Sequence, residues 1–121
     1  VGQVNWTIQS GSSNTAVFTL EDTDGSLYPL TGLTWEYVVR RDASDLSSAA
    51  VITVNETPNA QGVVTVDLNA STVTVTLYPA ATATLTQRAV YAHALWADPT
   101  DPALATCWVY GGFVVNQVAQ P

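Results

Sequence analysis

His93 and Cys107 are the only histidine and the only cysteine of the chain, and their side chains are the best suited to proton transfer or nucleophilic attack. His93 lies in Tyr91-Ala-His-Ala-Leu-Trp96, where alternation puts Tyr91, His93 and Leu95 on one face of a strand and Ala92, Ala94 and Trp96 on the other. A catalytic base needs partners, and none is grouped with it in sequence, so the expected role is a packed or hydrogen-bonded strand residue. No serine sits in a G-x-S-x-G nucleophile motif. Cys107, between Thr106 and Trp108, is expected to be buried as a small hydrophobe. One histidine and one cysteine cannot supply a structural zinc site, which takes four ligands mostly of those types. A lone cysteine also excludes an internal disulfide.

Four aspartates raise the question of calcium. Asp22-Thr-Asp-Gly25 opens like a calcium loop, and Asp98 and Asp101 lie in a second acidic loop. The later ligands and closing glutamate of an EF-hand are missing. Aspartate and glycine favour turns for backbone reasons alone, and surface turns are the expectation. A carboxylate pair for glycoside hydrolysis is defined in space, and the sequence singles none out. No catalytic, cofactor-binding or metal-binding residue is assigned, and a non-enzymatic protein is expected.

Trp6, Trp35, Trp96 and Trp108 admit two readings. An exposed row would form a carbohydrate-binding platform; burial would make them core. Trp35 is in phase with Leu33, Tyr37 and Val39, which favours the core, and Trp96 and Trp108 flank one loop and are expected to pack on each other. The sequons at Asn5, Asn55 and Asn69 arise easily in so threonine-rich a chain.

Composition narrows the partners. Three arginines, no lysine and ten acids leave a net charge of −7, with only 11% charged residues in 121. Such a surface repels phosphate, so neither nucleic acid nor an anionic membrane is expected as a partner. Few ions need desolvating when it touches a neighbour, which suits packing among copies of itself or other proteins, or a secreted domain. No apolar run reaches the ~18 residues of a membrane span, and no signal-sequence pattern opens the chain. Val1 is the kind of small residue left after initiator trimming; signal cleavage leaves the same start.

The elements that must position these residues are strands. In Gly62–Tyr78, Val64, Val66 and Leu68 alternate with Thr65 and Asp67, and Val73, Val75 and Leu77 alternate with threonines. Period-two alternation of β-branched residues gives strands with one face on a core and a threonine face toward water. Similar alternation spans Val4–Ile8, Ala16–Leu20, Leu33–Arg40, Val51–Val54, Val90–Ala97 and Cys107–Val115. Asp42–Ser48 reads as a loop. Pro79–Gln87 is the one helical candidate, a short turn with proline first and alanines after it. Seven or eight strands in a single domain, residues 1–121, predict an all-β, immunoglobulin-like antiparallel β-sandwich, with a partly closed barrel as competitor.

The order of turn and core residues carries a resemblance. Asp22-Thr-Asp-Gly25 is followed by Leu30-Thr-Gly32 and the strand Leu33–Arg40; then come Gly62, a turn with Leu85, a strand from Tyr91, and Gly112-Phe-Val-Val115. From about Val17 to Val115 this resembles the immunoglobulin-like N-terminal domain of upper baseplate proteins of tailed phages, and small stand-alone phage structural proteins. A glycine usual before the late tyrosine is replaced by Gln87-Arg-Ala-Val90. The resemblance implies a virion protein made in the host cytoplasm, with no catalytic residues and no cofactor. Without a second domain to carry a receptor-binding arm, it implies a capsid decoration protein first and a tail or baseplate component second. The implied partners are capsid or tail proteins and copies of itself, with a glycan as the rival ligand. Val4, Trp6 and Ile8 are the candidate contact, because a terminal strand can add to a partner's sheet edge; the alternative is that they complete their own sandwich.

Overall fold

The computed structural model describes residues 2–21, 24–42, 50–85 and 90–116. Asp22, positions 43–48 of the expected polar loop, and positions 86–89 lie outside the described residues. The strands are β1 (Gly2–Gln3), β2 (Trp6–Gln9), β3 (Asn14–Thr19), β4 (Trp35–Arg40), β5 (Ile52–Asn55), β6 (Gly62–Asp67), β7 (Thr72–Leu77), β8 (Val90–Ala97) and β9 (Thr106–Asn116), with one helix, α1 (Pro79–Ala83).

These strands form a β-sandwich, as the alternation predicts. One sheet runs β1-β9-β8-β4-β5, with β2 also on β9; the other runs β3-β7-β6. The inner faces carry Ile8, Trp35, Tyr37, Val39, Leu95 and Phe113 from the first sheet, and Phe18, Val64, Val73, Val75 and Leu77 from the second, all buried in one cluster. The order fits an immunoglobulin-like arrangement, with β9, β8 and β4 at the centre of the larger sheet. β-Branched and aromatic residues at every second position drive it, because only one strand face needs burying. Leu68 departs from the expected alternation. It lies beyond the end of β6 and is half exposed.

Every pairing among the described strands is antiparallel except at the N-terminus. β1 and β2 run parallel to β9, with Gly2 opposite Val109 and Trp6 opposite Phe113. The register is the same before and after the break, so Val4 and Asn5 lie opposite Gly111 and Gly112.

The expected helical turn is α1, and its buried Thr82 ties it to the β2–β3 turn. Thr82 Oγ1 accepts from the Gly11 amide at 3.0 Å and donates to the Ser12 carbonyl at 3.0 Å, and the Ser10 hydroxyl donates to the Thr82 carbonyl. A Thr82→Val variant keeps the shape but strips partners from two backbone groups. It should unfold at lower urea, with about 2 kcal/mol lost.

Candidate interaction surfaces

The residues with chemical potential are engaged in structural roles. His93 is buried, and its Nε2 lies 2.5 Å from the Val4 carbonyl oxygen, while Nδ1 lies 2.7 Å from the Tyr37 hydroxyl. A carbonyl only accepts, so Nε2 carries the proton and Nδ1 accepts from Tyr37. Burial pushes the His93 pKa down, opposed in part by the bond to Val4, and burial pushes the Tyr37 hydroxyl well above its ordinary range. Both groups are therefore neutral at pH 7, and the ring clamps the N-terminal segment to the core. The Val4 amide donates to the Tyr110 carbonyl at 2.8 Å, and Asn5 Oδ1 accepts from the Gly112 amide at 2.9 Å. One sequon asparagine thus has its side chain committed to the sheet.

The candidate contact residues divide. Ile8 is fully buried and Trp6 is half-buried, edge-on to Tyr37 and Phe113; Val4 is 39% exposed. Trp6 and Ile8 thus complete their own sandwich. Beside them a groove of about 360 Å³ opens between the N-terminal strand and β3, lined by Val4, Trp6, Ala16 and Phe18 among others.

The aspartates hold turns. Asp24 Oδ1 accepts from the Ser26 amide and hydroxyl, and those bonds draw its pKa down. Asp98 Oδ1 accepts from the Thr34 amide and hydroxyl at 2.9 and 3.1 Å, and Asp101 Oδ1 accepts from the Ala103 amide. Among the described residues no three His, Cys, Asp or Glu side chains are gathered as a metal site would need.

Two expectations about the last strand need correction. Cys107 is half-buried rather than buried, and Trp108 has its ring against Tyr28, with centroids 4.6 Å apart, instead of against Trp96. A register shift is the cause. Leu95 pairs with Val109 but Trp96 pairs with Cys107, so Trp108 is an extra residue. The bulge turns Trp108 to the core and puts Cys107 on the outer face beside Trp96. Burial raises the Cys107 thiol pKa, which keeps it protonated and weakly nucleophilic.

The outer faces of the sheets are open, and they differ. On the three-stranded sheet the outward rows are Thr15–Thr76–Val63, Val17–Thr74–Thr65 and Thr19–Thr72–Asp67. Threonine fills six of these nine positions, and Asp67 is the sole charge. On the six-stranded sheet a groove of about 420 Å³ is lined by Val38, Ala92, Ala94, Trp96, Cys107 and Tyr110 among others. Of the four tryptophans, Trp35 is buried and Trp6 and Trp108 pack against the core; Trp96, with Tyr110, faces outward. No protein-family model and no curated protein sequence matches the chain.

Proposed function

We propose that this protein is a non-enzymatic structural component of a tailed-phage virion, acting as a capsid decoration protein, with a tail or baseplate position as the second choice. The observation that carries the adhesive part of this reading is the threonine face of the three-stranded sheet. Its hydroxyls and methyls bond and pack against a neighbour at small desolvation cost, because only Asp67 brings a charge to it. The virion part rests on the resemblance. Its motif residues hold the fold: Gly25 and Gly32 take φ of 86° and 82° in turns, and Leu30, Leu85, Tyr91, Phe113 and Val115 are core.

Size decides how such a face would work. Three strands of six residues span roughly 14 Å by 20 Å, well under the ~800 Å² per partner of a standard interface. One copy would bind weakly, and many copies on a repeating particle surface would bind through avidity. The test is mass spectrometry and imaging of purified particles whose genome encodes the chain. The chain should co-purify, and Thr74→Arg, at the centre of the face, should cut its copy number at least about tenfold with the thermal midpoint unchanged. Absence from the particles sinks the proposal.

A further inference from the structure

We infer that two copies of this chain dock through the outer face of the six-stranded sheet, about a two-fold axis that crosses the strands along the row Val38–Ala94–Tyr110. The strand registers make this face complementary to itself. Glu36, Trp96 and Cys107 form the row on one side of Val38–Ala94–Tyr110, and Arg40, Ala92 and Gly112 form the row on the other. A two-fold axis along the middle row exchanges the outer two. It sets Glu36 of one copy over Arg40 of the other, Trp96 over Ala92, and Cys107 over Gly112. In the outer rows acid meets base and a large residue meets a small one, while in the middle row Val38, Ala94 and Tyr110 each meet their own copy.

The competing arrangement fails on the same residues. A two-fold axis along β8, parallel to the strands, keeps each row on itself but exchanges β4 with β9. Trp96 then collides with Trp96, Glu36 faces Cys107 and Arg40 faces Gly112, and neither charge meets its opposite. Sheet twist does not undo the favoured match. Packed sheets cross at about 30°, and Glu36 and Arg40 each lie ~7 Å from the axis along the strand. The sideways offset is then ~3.5 Å, smaller than one strand spacing and within the reach of both side chains. Tyr110, 52% exposed, meets its copy near the axis, with room made by Ala92 and Ala94. The five strand positions of this sheet, β1-β9-β8-β4-β5, span roughly 24 Å by 20 Å, below the ~800 Å² per partner of a standard interface, so the dimer is weak and reversible.

Sedimentation velocity over a concentration series tests the inference. The wild-type protein should dimerise, and Glu36→Arg and Arg40→Glu should each weaken self-association at least about tenfold. An equimolar mixture of the two variants should regain wild-type affinity, because each then offers the other its opposite charge. In the unaltered protein, alkylation of Cys107, the only thiol, should slow as dimer forms. A wild-type monomer at the highest concentration, single variants that dimerise as tightly as wild type, a mixture no tighter than its parts, or alkylation independent of concentration each overturns it. The measurement is made on isolated protein, so its result stands apart from whether the chain is found on particles.

Discussion

Replacing Gly111 with alanine will release the N-terminal strand and lower the thermal midpoint by about 12 °C. Gly111 has φ of 152°, and a Cβ built on it would overlap the Val4 carbonyl oxygen, a backbone atom held from the other side by His93. Neither party can step aside. The sheet would have to give up the parallel pairing at Val4 or twist β9 away from β8, and either costs about 3 kcal/mol. For 121 residues each kcal/mol moves the midpoint by about 4 °C. The neighbouring glycine is the control. A Cβ on Gly112 would meet Asn5 Oδ1 at 3.5 Å and Val90 at 3.8 Å, ordinary contacts, so Gly112→Ala should shift the midpoint by no more than about 2 °C. Equal losses from the two variants, read by calorimetry, would refute the close-approach argument.

Acidification will weaken the wild-type fold in a window that a His93→Phe variant lacks. The folded-state pKa of His93 is depressed by burial, while the unfolded chain takes up its proton near the ordinary value of about 6.5. The unfolded state therefore binds the proton first. Stability is full above about pH 6.5 and is lost as pH falls from there toward the folded-state pKa. His93→Phe fills the space but leaves the buried Tyr37 hydroxyl without its 2.7 Å partner, at a cost of about 2–3 kcal/mol near pH 7.5. Urea midpoints at about pH 7.5 and about pH 5.5 should show the gap between variant and wild type narrowing on acidification. A constant gap would mean that another group titrates in that window.

The alternation in Gly62–Leu77 was legible because every signal there is local. Valine and threonine alternate, the turn is short, and β6 and β7 pair with each other along their whole length. The same locality made the core side of Trp35, Tyr37 and Val39 readable, and the burial of His93. What escaped the sequence depends on partners far away in the chain. The parallel course of β1 and β2 rests on contacts with β9 more than a hundred residues later, and nothing in Val4–Ile8 distinguishes it from an antiparallel strand. The paired glycines Gly111-Gly112 inside a strand pattern were the available hint, since a glycine there signals a bulge or a close backbone approach. The bulge at Trp108 misled the reading of Cys107 and Trp96, because one inserted residue reverses which side of the sheet each residue joins. The outer-face rows of Glu36, Trp96 and Cys107 are likewise invisible until three strands are set in register.

The parallel junction of β1 and β2 with β9 also determines how the molecule answers force. A load applied along the chain through Gly2 and Asn116 pulls the first strand backward and the last strand forward, along their shared direction. Parallel neighbours loaded this way are in shear, so the hydrogen bonds from Gly2 to Gln9 bear tension together instead of opening one by one. The His93–Val4 bond sits in the middle of that set. Stretched between its ends, the domain should resist until the whole strand slips at once.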